Sequence, residues 1–429
     1  MNAQRRAPWL LLACVPWLAG VALGQEVPGP MRGEMPALIS ATKPENALFI
    51  SVSAASIFDD NLRAQGFRHA SGAEQYFSAK LSWQETRRRA RWSISYQPGV
   101  RVGTAAPVGN QLNQFFGASL EVNPSTRWLL RVRQDYTLTT DPFDREGEAP
   151  LQPALGPLER PNDMTVLPQL RRSASFSHAG VSYRLSRHTT LGIGGSYGWQ
   201  NYSDYANTGL APLTNNRARS ASGYISRQIS RRYTAGLEYR ALELSFPGHE
   251  MRGLTHSALA FQQWALTSNS SIVVYAGPEY SRTRSQTWRN TPVTSAAWSP
   301  AAGAIYSWYG ARNSLQGGYS RRVNDGGGLQ GPVRVSSGWI RLGARLRHSW
   351  STDLSAELAQ QSALPVSLGE RLRQLRTGAG LRRELGRSTV VRVSYDRLYQ
   401  SGKSQVYRPG NHNRVMLSVE QSFMQILGR

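Results

Sequence analysis

The chain has 429 residues, 50 Lys and Arg against 27 Asp and Glu, a formal net charge of +23 and one cysteine. A lone cysteine excludes an intrachain disulfide and a multi-thiolate metal site, and a mean hydropathy of −0.43 is too polar for a bundle of membrane helices. A basic balance often marks nucleic-acid binding, but no aromatic-basic recognition module accompanies it here.

The first element is a targeting segment. Arg5 and Arg6 precede an apolar stretch from Pro8 to Leu23, and Ala22-Leu23-Gly24 offers a small-x-small cleavage site. Residues 1–24 read as a secretory signal peptide cut before Gln25, to be set aside from the fold. Cys14 lies inside it. Leu11-Leu12-Ala13-Cys14 loosely resembles a lipoprotein processing box, but cleavage there would leave too short an apolar region. Gln25 to Ala47 is Pro-rich and aperiodic, and is expected to be a disordered periplasmic lead-in.

From Leu48 to Phe423 a single pattern repeats: an alternating apolar/polar run, a short polar turn, a second alternating run. Clear copies span Tyr183 to Tyr197, Tyr224 to Tyr239, Leu346 to Leu358 and Arg382 to Tyr395. The short turns fall near Arg87-Arg88-Arg89, Asn123-Pro124-Ser125, Ser186-Arg187-His188, Ser230-Arg231-Arg232, Thr267-Ser268-Asn269, Gly310-Ala311-Arg312, Trp350-Ser351-Thr352 and Gly386-Arg387-Ser388. A propeller blade has a similar repeat length but packs four short strands into it. Here only two strands of about 9 to 13 residues fit, which is the length of a tilted membrane strand. The turns supply hairpins, and the flanking runs Leu48 to Phe58 and Asn413 to Phe423 add one strand each. The expected fold is an all-β, antiparallel, up-and-down transmembrane barrel spanning 48–429, with about 18 strands (16 as the alternative). Short turns face the periplasm and longer loops face outward. The longest loop, Thr139 to Leu170, would either enter the lumen or cover its mouth.

Alternation assigns the faces. Trp92, Ile94 and Tyr96 oppose Arg91, Ser93, Ser95 and Gln97. Trp128, Leu130, Val132 and Tyr136 oppose Arg127, Arg131, Arg133 and Asp135. Ile340, Leu342, Ala344 and Leu346 oppose Arg341, Arg345 and Arg347, and Val391, Val393 and Tyr395 oppose Arg392, Ser394 and Asp396. An arginine facing lipid at the midplane costs roughly 2–4 kcal/mol, so the apolar set faces out. Trp83, Trp92, Trp128, Trp264, Trp308, Tyr309 and Trp350 lie near short turns, where an interfacial girdle belongs.

The pore-lining candidates are Arg131, Arg133, Arg240, Arg341, Arg345, Arg347, Arg382 and Arg392. Rings of arginine favour anions, and guanidinium groups grip carboxylate, sulfate or phosphate with two bonds. Glu121, Asp135, Glu238, Glu279, Glu357, Glu384, Asp396 and Glu420 also point partly inward, so ion pairs are expected to occupy about half of the arginines. The seven histidines are scattered, without HExxH, GxSxG or metal-ligand spacing. His178 beside Ser175 or Ser177 is the one local nucleophile pair, and a polar lumen residue is the simpler reading. No catalytic, cofactor-binding or metal-ligating residue is assigned, and no cofactor is expected.

The hairpin phrase, with its Ser/Gly-x-x-Thr turn at Ser186 to Thr189 and Gly386 to Thr389, and the closing strand Asn413 to Phe423 resemble Gram-negative outer-membrane β-barrels of porin size. The chain looks particularly like barrels that accompany exopolysaccharide loci. Such barrels end on an aromatic strand residue read by the assembly machinery. Phe423 takes that position, although six residues follow it. The resemblance implies outer-membrane location, contact with lipid and lipopolysaccharide, and recognition by the barrel assembly machinery. It also brings an acidic polysaccharide into view as a partner; no nucleic acid is expected, and the oligomeric state stays open. The functional expectation is a non-enzymatic channel for passive diffusion or export of small or anionic solutes, saccharides included. The alternative is a plugged structural or accessory barrel serving exopolysaccharide secretion or surface attachment.

Overall fold

The computed structural model describes residues 46–60, 71–103, 111–140, 171–203, 214–247, 251–286, 292–324, 331–347, 349–364, 371–386, 388–403 and 410–426. The signal peptide, nearly all of the lead-in and residues 141–170 of the longest loop lie outside them. Along the described chain run β1 (Ala47–Asp59), β2 (Gly72–Thr86), β3 (Ala90–Gly103), β4 (Gln111–Val122), β5 (Trp128–Thr139) and β6 (Arg171–Arg184). β7 (Thr189–Ser203), β8 (Asn216–Ser230), β9 (Tyr233–Phe246), β10 (Met251–Thr267), β11 (Ser270–Gln286) and β12 (Pro292–Tyr309) follow. The last six are β13 (Asn313–Asn324), β14 (Val333–Arg347), β15 (Trp350–Ala363), β16 (Arg371–Leu385), β17 (Thr389–Lys403) and β18 (Gly410–Ile426).

Each strand pairs antiparallel with its sequence neighbour, and β1 pairs with β18 from Ala47↔Ile426 to Asp59↔Arg414. The 18-stranded sheet is therefore closed. Closure gives the edge strands partners, which is what lets a sheet stand in hydrocarbon without exposed peptide groups. The closing strand runs on to Ile426, so Phe423 lies inside it, opposite Ile50.

Seven of the eight expected short turns fall where the sequence places them. The seventh is displaced. Trp350, Ser351 and Thr352 belong to β15, and the turn lies just before them, where Ser349 accepts a hydrogen bond from the Glu384 amide. A bulge between Arg345 and Arg347 is the physical cause, because it adds a residue that strict alternation does not foresee.

Register and exposure fix the two faces. Directly opposed residues share a face, and the series Ile50, Leu81 and Tyr96, or Leu358, Leu375 and Tyr399, are exposed apolar side chains. These cover the exterior. An exposed apolar skin on a closed antiparallel sheet is the solution for a lipid solvent, and it makes the molecule a transmembrane β-barrel. Ile193, 69 % exposed on β7, sits in this skin. Ile193→Arg should cost roughly 2–4 kcal/mol, read as the shift in urea midpoint when the barrel is refolded into lipid vesicles; an unchanged midpoint would place β7 away from lipid.

Aromatic pairs mark two levels on the outside. Near the short turns, Trp128 meets Tyr183 at 4.7 Å, Tyr233 stacks on Trp264 at 5.4 Å, and Arg383 lies over Trp350 at 5.1 Å. Toward the loops, Tyr136 meets Trp199 at 6.3 Å and Tyr280 meets Trp298 at 5.0 Å. On β5 the step from Trp128 to Tyr136 is about 26 Å of extended chain, which at a tilt of about 40° rises roughly 20 Å, most of the ~25 Å apolar band of such a barrel. Tyr309 is the exception to the expected girdle. It pairs with Ser314 on the inner face and accepts a hydrogen bond from Gln316.

Candidate functional site: the charged inner wall

The same register that sends isoleucine, leucine and valine outward sends arginine and carboxylate inward. Among the sequence candidates, Arg131 pairs with Glu121 at 2.8 Å, Arg133 with Asp135 at 2.7 Å, Arg382 with Glu384 at 4.0 Å and Arg392 with Asp353 at 3.1 Å. Arg133 grips its aspartate with two nitrogens. Arg240 is buried on β9 within electrostatic reach of Glu279 and Arg322. Arg341 lies over the Trp339 ring at 5.3 Å, and Arg345 faces inward opposite Ser351. Arg347 is carried the other way. Past the bulge it opposes Trp350, whose next neighbour is the lipid-side Arg383, so it leaves the inward row and joins the turn-side exterior.

The inner arginines are not evenly distributed. One register row reads Arg345, Ser351, Arg382, Arg392 and Ser418 across β14 to β18, with no carboxylate in it. Nearer the loops, Arg414 of β18 pairs with Asp396 at 3.2 Å. Past the closure, at the loop end of β2 and β3, Arg101 and Glu74 form a buried pair at 3.1 Å. Alternation in β3 and β18 would have placed Arg101 and Arg414 inside as readily as the chosen eight.

A second feature had no simple signal in the sequence. β12 pairs with β11 as far as Pro292↔Gln286, but with β13 only as far as Ala302↔Arg321, although β13 and β14 stay paired to Asn324↔Val333. Above Ala302 the β13–β14 hairpin leaves the wall and leans into the barrel. There the Val323 amide donates to Glu279 Oε1 at 3.1 Å, and the Arg322 guanidinium lies over Tyr275 at 4.3 Å. Val323 is 1 % exposed because its outer side now rests on the inner wall. Gly331 has φ 101, where side chains are strained, and a Cβ there would meet Met251 Sδ at 2.5 Å. Pro332 sits against Gly253 and accepts the Leu364 amide at 2.8 Å. Leu242, Leu244, Phe246 and Met251 form the buried apolar seat on β9 and β10 that faces this tip. Beneath it lie the buried charges Glu238, Arg240 and Glu279, with the half-buried Arg322 on the hairpin facing them. The departure shows in the strand lengths as well, 18 residues for β12 against 12 for β13.

The glycine-rich stretch of β7 is a shelf for lumen side chains. Tyr224 covers Gly192, where a Cβ would overlap its ring. The serine–histidine pair does not form. His178 opposes Arg133 and Ser196 on the inner face, whereas Ser175 and Ser177 are outside, hydrogen-bonded to Gln134. One-residue alternation separates them to opposite sides of the sheet. Among the described residues, no group of His, Cys, Asp or Glu has the geometry of a metal site.

A closed sheet, an apolar exterior and a charged inner wall with an inturned hairpin define a transmembrane β-barrel of porin form. Among solved structures the chain is similar to Pseudomonas aeruginosa OpdK with vanillate, at 12 % identity over 88 % of this chain and 99 % of that one, TM-score 0.43. It is also similar to Acinetobacter baumannii OccAB4, at 11 % identity over 89 % and 98 %, TM-score 0.44. A third is Pseudomonas aeruginosa OccK2 in complex with glucuronate, at 12 % over 88 % and 98 %, TM-score 0.42. TM-scores this low leave the barrel assignment resting on the strand pairing itself. No family model matches the chain, and no curated protein matches it in sequence.

Proposed function

We propose that this barrel is an outer-membrane channel for passive diffusion or export of small anionic solutes, carboxylated saccharides among them, with its short turns in the periplasm. The observation that carries the reading is the row Arg345, Arg382 and Arg392, three guanidinium groups at one register on the inner wall, with Asp353 and Glu384 of the adjoining rows beside only the last two. A planar guanidinium grips a carboxylate through two parallel bonds, so such a row offers a passing anion successive, exchangeable partners. The pairs Arg131–Glu121 and Arg133–Asp135 hold their arginines back and act mainly as struts.

Vesicle swelling tests it. Swelling in a uronate or aromatic monocarboxylate should outpace swelling in an uncharged solute of equal size; equal rates would remove the anion preference. Asp353→Asn should raise the preference further by freeing Arg392 from its 3.1 Å partner, read as a shift in reversal potential, and no shift would show that Asp353 does not mask it.

The inturned β13–β14 hairpin favours a second reading, a narrowed or plugged barrel that serves polysaccharide secretion or surface attachment. Properly folded barrels that neither swell vesicles nor conduct would support it.

A further inference from the structure

The basic excess of the chain is not spent mainly on the lumen. On the outer face of β8 to β11, toward the loops, one register row reads Arg217, Ser245, Arg252 and Arg284. The row beneath it reads Arg219, Glu243, Leu254 and Arg282. All five arginines are exposed. They lie just above the loop-side aromatic level: Arg219 reaches over Tyr197 at 5.9 Å, and Arg282 is two residues beyond Tyr280, which packs on Trp298. Arg252 and Arg284 are directly opposed across β10 and β11. Like charges placed so, with Cβ atoms about 5 Å apart, repel each other. Among the described residues no ion pair relieves Arg252, Arg282 or Arg284, and Glu243 is the one acid in the two rows.

The opposite side of the barrel differs. At the loop ends of β1, β3, β4 and β5 the outer face carries Phe58, Val102, Leu112 and Leu138. Basic charge on the outer face is thus uneven around the barrel: besides β8 to β11, Arg371, Arg373 and Arg397 stand exposed toward the loop ends of β16 and β17, whereas β1 and β3 to β5 carry none there. Solubility does not require it, because the face is a lipid-facing one, and a pore filter does not use it, because the sheet separates it from the lumen.

We infer that this sector is a binding site for the phosphate groups of an anionic lipid in the leaflet on the loop side. Its chemistry fits. The alkyl chains would lie on the apolar skin below, while the headgroup phosphates would meet Arg252, Arg282 and Arg284 at the height where headgroups begin. A phosphate between Arg252 and Arg284 would turn a repulsive pair into two charge-assisted contacts. The inference needs the barrel to sit in a membrane but does not depend on what, if anything, passes through it.

The test is lipid retention. The full-length mature barrel is refolded into vesicles of phosphatidylcholine containing a minor fraction of bis-phosphorylated lipid A, extracted gently, and its bound lipid counted by native mass spectrometry. The wild type should carry lipid A well above its share of the bilayer. Arg252→Gln/Arg282→Gln/Arg284→Gln should lose several-fold of that excess, while Arg227→Gln, on the same face at the short-turn end, should keep it. The heat-dependent gel shift of each variant confirms a closed barrel; should the triple variant fail it, Arg252→Gln alone takes its place, with a smaller loss expected. Equal retention in wild type and variant, or equal loss in Arg227→Gln, would overturn the site. So would displacement of the lipid by inorganic phosphate at the same phosphate concentration, since that would mark a site for free anions rather than for a lipid.

Discussion

Arg341→Ala together with Arg345→Ala should lower the anion-over-cation permeability ratio about fivefold, taking roughly 0.5 kcal/mol for each guanidinium acting across several ångströms of wet pore. The expectation rests on position. Both side chains project from the inner face of β14; Arg341 is braced over Trp339, and Arg345 opens the register row that continues to Arg382 and Arg392. Arg347→Ala is the internal control. It lies two residues from Arg345 in sequence, yet the bulge moves it to the Trp350 side, so its loss should leave selectivity unchanged. Reversal potentials under a salt gradient separate the variants. An effect of Arg347→Ala as large as that of the double variant would mean that the bulge does not hold and that β14 alternates to its end.

Glu279→Ala should have the second large effect, on the width and steadiness of the pore rather than on its charge. The carboxylate of Glu279 accepts from the Val323 amide at 3.1 Å and from Ser299 at 3.3 Å, and it offsets Arg240 and Arg322. A hydrogen bond to a charged acceptor contributes about 1.5–3 kcal/mol. Its loss should speed exchange of the Val323 amide by on the order of 10- to 100-fold. Removing the acid also withdraws one of the negative charges facing buried Arg240 and half-buried Arg322, which adds to the cost of the lost bond. The β13–β14 hairpin should then leave the lumen part of the time, giving higher and noisier conductance. Unchanged exchange and conductance would show that the apolar seat of Leu244, Phe246 and Met251 holds the tip without help.

The architecture was legible because a barrel writes its geometry into the chain twice, as period-two alternation and as short turns at regular intervals. Leu354 and Leu375 or Asp135 and Arg133 declare their faces without any tertiary knowledge. What the sequence hid were departures from that period. The extra residue between Arg345 and Arg347 moved a turn and turned one arginine around. The hairpin that leaves the wall above Ala302 is set by contacts between β9–β11 and β13–β14, and no local pattern in Arg322, Val323 or Pro332 announces a partner that far along the chain. Charge was misleading in a different way. A total of +23 suggests a basic lumen, but inner arginines such as Arg131, Arg133 and Arg392 stand beside carboxylates, whereas Arg252, Arg282 and Arg284 stand outside. Composition counts charges and alternation assigns faces; only register shows which charges meet.

The most direct test of the central claim is single-channel recording of the refolded barrel in a planar bilayer under a salt gradient. Steady openings with a reversal potential on the anion side are the predicted result. Steady openings that favour cations, or folded and inserted barrels that stay silent, would contradict it.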